Sequence, residues 1–165
     1  MKNIEIVSGD ITKLDVDIIV NAANESLLGG AGVDGAIHQA AGPELLEECK
    51  SIGGCPTGEV RLTEAYNIEI GGIIHAVGPK WGGGQNGESE LLESCYFGAL
   101  ELALENGFKS IAFPNISTGV YGYPKIEAAI TATSAVKSFD DLSKFEKVIF
   151  CCFDEENFKI YQSIL

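Results

Sequence analysis

The amino-acid sequence predicts an α/β protein with three layers, α/β/α, in which helices cover both faces of a largely buried mixed sheet. Six short runs rich in β-branched residues alternate along the chain with five segments of helical periodicity. Most of these runs are almost continuously apolar, as strands buried on both faces are. Such alternation favours helices packed on both sides of a sheet. The 165 residues, 45% of them hydrophobic, are enough for one core, so we expect residues 1–165 to form a single domain.

Each element is predicted from its own local pattern. Strands are expected at residues 4–7, 17–20, 60–65, 72–77, 110–114 and 147–153. Helices are expected at residues 33–41, 43–51, 90–105, 125–138 and 155–164. Pro43 suits the first turn of its helix, and Asn106-Gly107 is a typical end for the helix that reaches Glu105. The GGGQNG segment, residues 82–87, predicts a mobile surface loop.

The composition disfavours several classes of protein. A formal net charge of −13 opposes the electrostatic capture of nucleic acid, so we expect no nucleic-acid partner. No stretch reaches the ~18 continuous apolar residues of a membrane span. Strand-like sequence begins at residue 3, where a signal peptide would otherwise be expected. We therefore expect a cytoplasmic protein without membrane association, and we expect it to be a monomer.

The cysteines and histidines predict neither disulfides nor a metal site. The five cysteines form no CxxC pair, and Cys151-Cys152 lies in an apolar run that predicts a buried strand. The two histidines, His38 and His75, lack the ligand spacing of a zinc site. We expect no metal and no other cofactor.

Residues 21–38, NAANESLLGGAGVDGAIH, carry the strongest functional signal. Asn21 and Asn24 predict a turn, glycines follow at positions 29, 30 and 32, and a helix then begins with Asp34 in its first turn. Glycines let the backbone approach a ligand closely, and the start of a helix offers unpaired N–H donors. These features predict a pocket for a phosphorylated molecule, with an amide and a carboxylate at its rim. Because the chain is acidic, the N–H donors must hold such an anion locally.

A second glycine-containing loop, residues 117–122, follows the strand predicted at 110–114. Ligands of open α/β sheets bind beyond the carboxyl ends of the strands, so both loops are expected to line one crevice. The first loop has neither the Lys-Ser/Thr ending of a nucleoside-triphosphatase loop nor the GxGxxG spacing of a dinucleotide site. No GxSxG elbow for a covalent acyl mechanism is present. These three classes of enzyme are therefore disfavoured.

Each polar residue singled out also has a purely structural interpretation. Asp34 in a first helical turn favours the helix dipole and is able to cap N–H groups. Asn24 is able to form an Asx turn, and Asp10 is a typical turn residue after the first strand. His38 shares a helical face with Asp34, four residues earlier; we prefer a packing role for it, with acid–base catalysis as the alternative. His75 is expected to be a buried strand residue.

Five motifs together resemble a macrodomain, and in particular the MacroD-type branch, which hydrolyses ADP-ribose esters. They are GDIT at 9–12, NAAN at 21–24, GGAGVDGAIH at 29–38, IIHAVGP at 73–79 and ISTGVYGYP at 116–124. The motifs occur in order over nearly the whole chain. The resemblance implies a three-layer macrodomain fold whose central mixed sheet has about six strands. Ala31 and Gln39 depart from the glycine and the arginine that are frequent at these positions in relatives.

The resemblance also implies which residues bind ADP-ribose and act on it. Asp10 and the backbone of Ile11 would bind the adenine, and Phe153 would pack on its ring unless it is an ordinary core aromatic. Asn24 and Asp34 are the implied catalytic residues: Asn24 would fix the distal ribose and its ester, and Asp34 would bind a ribose hydroxyl and help to orient a water molecule. The residues of the two implied phosphate loops, with Tyr121 over the distal ribose, are Gly30, Ala31, Gly32, Val33, Asp34, Ser117, Thr118, Gly119, Val120 and Tyr121.

The function that this resemblance implies is an ADP-ribosyl ester hydrolase. It would remove mono-ADP-ribose from acidic side chains of modified proteins and would deacetylate O-acetyl-ADP-ribose. ADP-ribose, O-acetyl-ADP-ribose and ADP-ribosylated proteins are its expected partners, and either Asp34 or a phosphate of the substrate would activate the water. A non-catalytic ADP-ribose reader and an ADP-ribose 1''-phosphate phosphatase are the alternatives, and the presence of both Asn24 and Asp34 favours the hydrolase.

Overall fold

One six-stranded sheet organises the protein. The computed structural model describes residues 3–165. The strands are β1 (Ile4–Ser8), β2 (Ile18–Ala23), β3 (Val60–Thr63), β4 (Gly72–Val77), β5 (Ser110–Phe113) and β6 (Lys147–Cys152). The helices are α1 (Gly32–Ala41), α2 (Pro43–Ile52), α3 (Glu88–Glu105), α4 (Lys125–Ser138) and α5 (Glu155–Ile164). Two short 3-10 helices, Ile11–Lys13 and Leu142–Lys144, add to the predicted elements.

The strand order β1-β6-β5-β2-β4-β3 produces a mixed sheet. Among residues 3–165 all strand pairings are parallel except that of β3 with β4, so β3 forms an antiparallel edge. The opposite edge is β1, which pairs with β6 from Ile4 opposite Val148 to Ser8 opposite Cys152. Because five strands share one direction, their carboxyl ends lie at the same end of the sheet.

Helices cover both faces of the sheet, which confirms the predicted α/β/α fold class. The core on one face includes residues of α1 and α2, whereas α3, α4 and α5 contribute to the core on the other. Successive residues of β2 face opposite cores, since Ile18 and Val20 belong to one and Ile19 to the other. This two-sided burial is why the strand sequences are continuously apolar. None of the helices described between residues 3 and 165 is long and apolar enough to span a membrane.

Five of the six strands differ from their predicted bounds by a few residues, and two of these differences bear on the site. β2 continues through Asn21 to Ala23, so the turn predicted at Asn21 is wrong. Asn21 is fully buried, and its side chain finds polar partners inside the protein, which allows an asparagine to occupy a central strand. β6 ends at Cys152, which leaves Phe153 outside the sheet.

The GGGQNG loop, residues 82–87, is exposed as expected, but a single side chain holds it in place. The buried carboxylate of Glu88 accepts hydrogen bonds from the backbone N–H groups of Gly82 (2.8 Å), Gly84 (3.0 Å) and Asn86 (2.7 Å). These donors, Gly82 foremost, lower the pKa of Glu88 to about 2. The same residue begins α3, ahead of the predicted position 90.

The five cysteines are buried free thiols. Burial raises the pKa of Cys95 to about 12 and that of Cys151 to about 11. The reactive thiolate form is therefore disfavoured, and these residues act as small core side chains.

Candidate active site

The predicted site residues gather beyond the carboxyl ends of the parallel strands. Asp10 follows β1, Asn24 follows β2, residues 115–122 follow β5 and Phe153 follows β6. β2 and β5 are neighbours in the sheet, but α1, which follows β2, lies on one face and α4, which follows β5, lies on the other. Neighbouring strands whose connections leave towards opposite faces open a crevice between their ends. The two glycine-containing loops therefore flank one crevice.

The first of these loops leads into α1, whose N-terminal N–H groups are not capped by a side chain in the described part of the chain. Ala31 occupies the N-cap position of α1, and no side chain within residues 3–165 caps that end of the helix. Ala31 is extended, with φ −92° and ψ 177°, a backbone conformation that alanine adopts without strain. Gly30, Ala31 and Gly32 are exposed. The N–H groups of the first turn are thus available to an anion.

Asn24 shapes this loop through both ends of its side-chain amide. Its Oδ1 accepts hydrogen bonds from the Leu27 backbone N–H (3.0 Å) and the Ser26 hydroxyl (2.7 Å). Its Nδ2 donates to the Gly29 carbonyl oxygen at 2.9 Å. The structural interpretation of Asn24 is therefore met in this structure, and one amide hydrogen is left over for a ligand.

Asp34 points into the protein instead of capping its helix, and it is only 6% exposed. Its Oδ1 accepts a hydrogen bond from Asn21 Nδ2 at 2.9 Å, and His38 Nε2 lies 3.4 Å from the same oxygen without the alignment of a hydrogen bond. Its Oδ2 lies beside Gly30, where an added Cβ would be 3.2 Å from that oxygen and 3.6 Å from Asn24 Nδ2. Burial raises the pKa of Asp34, against the lowering effects of the Asn21 hydrogen bond and the His38 charge. One carboxylate oxygen and one amide thus flank Gly30.

The second loop is strained at Ser117 and anchored on both sides. Ser117 has a φ of +68°, which is unusual for a residue with a side chain. Its buried Oγ has no hydrogen-bond partner in the described part of the chain, and it lies so close to Gly78 that a Cβ could not be added there. The Ser117 carbonyl accepts a hydrogen bond from the Tyr123 N–H (2.9 Å), and the Tyr121 carbonyl accepts one from the Trp81 N–H (2.8 Å).

Tyr121, on the second loop, is influenced by charges on the first loop and on α1. Burial raises the pKa of Tyr121, and the charges of Glu25 and Asp34 raise it further. The ring also lies 5.5 Å from the Lys80 ammonium, measured to the ring centre. The next residue towards the loop tip, Val120, is 94% exposed. The base of the loop is therefore fixed, and its tip is open to solvent.

Asp10 and Phe153 lie next to each other at the far end of the crevice. The Gly9 N–H donates to the Cys152 carbonyl oxygen at 3.2 Å, and Asp10 and Phe153 are the residues that follow these two. Asp10 Oδ1 accepts hydrogen bonds from the Thr12 N–H (2.9 Å) and hydroxyl (2.6 Å), which lower the pKa of Asp10. Phe153 is 70% exposed, so its interpretation as an ordinary core aromatic is wrong.

A polar network that was not predicted from the sequence lies behind Asp34. His75 is buried on β4, as predicted, but its hydrogen-bond partners were not predicted. Asn21 Nδ2 lies 3.1 Å from His75 Nδ1, and Thr63 Oγ1 lies 2.9 Å from His75 Nε2. A signal was available, because polar residues within apolar strands require polar partners once they are buried. The parallel pairing of β2 with β4 sets Asn21 opposite His75.

The groups that the crevice offers are backbone N–H donors, side-chain amides, one buried carboxylate and an exposed aromatic ring. Within residues 3–165, no group of three or more His, Cys, Asp or Glu side chains is placed to hold a metal ion. Backbone donors suit a diphosphate. A carboxylate and an amide placed together are suited to binding hydroxyl groups and orienting a water molecule.

Known proteins share this fold and much of this sequence. A family model described as the Macro domain matches residues 20–132. An O-acetyl-ADP-ribose deacetylase of Enterobacter cloacae is 53% identical over an alignment 167 positions long, which covers 98% of this chain and 93% of that protein. The solved Oceanobacillus iheyensis macrodomain with ADP has a TM-score of 0.91 at 47% identity, covering 98% of this chain and 90% of its own. A Trypanosoma brucei macrodomain in complex with ADP-ribose has a TM-score of 0.92 at 43% identity, covering 98% of this chain and 68% of its own.

These likenesses extend over almost the whole chain, and the motifs at the crevice are the ones that suggested the resemblance. The resemblance is thereby confirmed, and the chain belongs to the macrodomain family.

Proposed function

We propose that this protein hydrolyses ADP-ribose esters, deacetylating O-acetyl-ADP-ribose and removing mono-ADP-ribose from acidic side chains of modified proteins. The observation that supports this most is that Asp34 Oδ2 and Asn24 Nδ2 both lie beside Gly30, 3.2 Å and 3.6 Å from where an added Cβ would be, at the first loop of the crevice. The deacetylase name of the Enterobacter relative favours the small ester as a substrate. The ADP-ribose bound by the Trypanosoma macrodomain favours the same ligand here.

In the proposed complex, ADP-ribose lies along the ends of the strands. Asp10 accepts a hydrogen bond from the adenine amino group, the Ile11 backbone lies alongside, and the ring packs on Phe153. The diphosphate lies between the first turn of α1 and the second loop, held by backbone N–H groups. This local binding matters because the net charge of −13 repels the ligand as a whole. The distal ribose then lies between Asn24, Asp34 and Tyr121.

Hydrolysis requires water to attack the acyl carbon of the ester, after which the bond to the ribose oxygen breaks. The carboxylate product and the ribose hydroxyl share the elements of that water. Asp34 orients the water through Oδ2, and either this carboxylate or a phosphate oxygen of the substrate accepts its proton. Asn24 fixes the ribose. Because water is able to attack an ester carbonyl directly, positioning of the water and stabilisation of the charge that develops on the acyl oxygen and the departing ribose oxygen supply most of the rate.

The test is release of ADP-ribose from a protein mono-ADP-ribosylated on glutamate, and of acetate from O-acetyl-ADP-ribose. We expect Asp34→Ala to reduce both rates at least ~10²-fold, about 2.7 kcal/mol of transition-state stabilisation, while ADP-ribose still binds in calorimetry. Asp34→Asn serves as the matched variant, since it keeps the shape of the side chain and removes its charge. Unchanged turnover in both variants would rule out the role of Asp34.

Two alternative functions give different results in the same assays. A reader of ADP-ribose would bind it and release neither product. A phosphatase would release inorganic phosphate from ADP-ribose 1''-phosphate and leave both esters intact.

A further inference from the structure

Asn21 connects Asp34 to a buried histidine. Its side chain is fully buried, and its Nδ2 lies 2.9 Å from Asp34 Oδ1 and 3.1 Å from His75 Nδ1. A primary amide nitrogen carries two hydrogens and accepts none, so it donates one to each partner. Asn21 Oδ1 has no hydrogen-bond partner among the residues described. The amide is thus oriented entirely by its nitrogen.

The hydrogen bonds of the network then all run in one direction, from Asn21 through His75 and Thr63 to the Glu64 carbonyl oxygen. Because His75 Nδ1 accepts from Asn21, the ring hydrogen is on Nε2, which donates to Thr63 Oγ1 at 2.9 Å. The Thr63 hydroxyl hydrogen is in turn donated to the Glu64 carbonyl oxygen at 3.1 Å. Burial lowers the pKa of His75 to about 4, with a further lowering from the His38 charge, so the ring is neutral near pH 7.

We propose that Thr63, His75 and Asn21 are positioning residues. Thr63 and His75 hold the side-chain amide of Asn21 so that its nitrogen faces Asp34. This inference rests on the proposed catalytic role of Asp34. With the nitrogen facing it, Asp34 Oδ1 receives a hydrogen bond that favours the ionised carboxylate. Oδ2 is then left beside Gly30 to act on the water. Thr63 and His75 reach the reaction only through Asn21.

The opposite amide orientation shows why the direction matters. It would set Asn21 Oδ1 against a carboxylate oxygen, an arrangement that is acceptable only if Asp34 is protonated and donates the hydrogen bond itself. The tautomer of His75 selects between the two orientations. An acceptor at Nδ1 requires the amide nitrogen, whereas a hydrogen at Nδ1 would require the amide oxygen. Thr63 favours the first tautomer, because its own hydrogen is donated to the Glu64 carbonyl oxygen and its oxygen therefore accepts from Nε2.

Other titratable groups also face Asp34, and the first test leaves them unchanged. They are His38 on the same helix, Cys49 on α2, His75 on β4 and Tyr121 on the second loop. Thr63 lies on β3, behind His75, and contacts the network only through that ring. Substitution of Thr63 therefore disturbs the network without altering any charge near the crevice.

The experiment compares Thr63→Val, which has the same shape and lacks the hydroxyl, with Thr63→Ser, which keeps it. In the pH profile of kcat for O-acetyl-ADP-ribose hydrolysis, we expect Thr63→Val to move the acidic limb upwards by about one pH unit. On that limb, kcat falls about tenfold while KM changes less than about twofold. Thr63→Ser should restore the wild-type profile. An unshifted limb in Thr63→Val, or an equal loss in both variants, would overturn the proposal.

A second pair covers the case in which Thr63→Val fails to fold. His75→Asn places an amide oxygen where Nδ1 was and keeps an acceptor for Asn21, whereas His75→Leu removes it. We expect the acidic limb to shift upwards in His75→Leu alone. Equal profiles in these two variants would contradict the proposal.

Carboxyl NMR of Asp34 separates this proposal from the proposed function, because it needs no turnover. We expect the Asp34 titration to move upwards by about one pH unit in Thr63→Val and to match wild type in Thr63→Ser. If wild type hydrolyses neither ester but the NMR shift is seen, the hydrolase fails and the network stands. If wild type is active and the titration does not move, the network fails and the hydrolase stands.

Discussion

The backbone of Gly30 packs directly against Gly35, one turn into α1. A Cβ added at Gly35 would lie 2.5 Å from the Gly30 carbonyl oxygen, a distance that real side chains essentially never show. The Gly30 oxygen belongs to the backbone, so it cannot move aside as a flexible side chain would. The absence of a side chain at Gly35 therefore sets how closely the first loop approaches the helix that carries Asp34.

Gly35→Ala should therefore destabilise the protein and displace the loop. We expect the free energy of unfolding in urea to fall by about 1–3 kcal/mol, as for other overpacked sites. Gly98→Ala is the matched control, because Gly98 is also helical and its added Cβ would meet only Val60 methyl groups, at 3.4 Å and 3.5 Å. Alanine favours a helix over glycine, so Gly98→Ala should leave stability equal or slightly higher. Equal losses in the two variants would contradict the special role of Gly35.

Asp10→Ala should weaken ADP-ribose binding. In the proposed complex, the variant loses one charge-assisted hydrogen bond to the adenine, worth roughly 1.5–3 kcal/mol, or about 10- to 100-fold in Kd. Calorimetry at constant salt measures this change. Asp15→Ala, which removes an exposed carboxylate from a nearby loop, should bind like wild type. If Asp10→Ala also binds like wild type, the adenine lies elsewhere.

His75 should make stability depend on pH between about 6.5 and 4. Burial lowers the pKa of the folded-state ring from 6.5 to about 4, so the stabilisation is complete above pH 6.5 and is lost as the pH falls towards 4. The full loss is about 3 kcal/mol. Urea unfolding at several pH values, with His75→Asn as the control, measures it. The raised pKa of Asp34 acts in the opposite direction in both proteins, so the difference between them isolates His75.

Glu88→Gln should release the GGGQNG loop. An amide has one acceptor oxygen where the carboxylate has two, and the loop takes up both through Gly82, Gly84 and Asn86. We expect faster hydrogen exchange at these three N–H groups and little change in the sheet. Glu90→Gln changes an exposed neighbour and should leave exchange as in wild type. Unchanged protection from hydrogen exchange in Glu88→Gln would show that the loop is ordered without the Glu88 carboxylate.

The layers of this fold could be predicted because buried strands have recognisably apolar sequences. Every strand overlaps a run that predicted one, and the central strands are almost continuously apolar because two covered faces leave few polar positions. The antiparallel direction of β3 could not be predicted in the same way. Direction depends on which neighbour a strand joins, and the side chains of Val60–Thr63 are similar for either choice.

The loops of the candidate site could be predicted from the sequence, whereas the spatial arrangement of several side chains around them could not. The glycines and Asp34 indicated a pocket locally, within residues 29–34. The local propensity of asparagine predicts a turn at Asn21. Its actual place in β2 depends on a partner, His75, on the neighbouring strand, which local propensity does not reveal. Phe153 was ambiguous for a similar reason. Its exposure is decided by where β6 ends, one residue earlier, and the apolar run shows no break there.

The pairing of β1 with β6 has a consequence for how the protein is made. β1 is an edge strand whose one partner among the described strands lies some 140 residues away, with Ile4 opposite Val148. On the ribosome, β1 leaves the exit tunnel well before β6 and must wait unpaired until β6 has been synthesised. The mixture of half-buried and exposed residues in β1, with Glu5 and Ser8 exposed, suits that wait, because a fully apolar strand would be prone to aggregate.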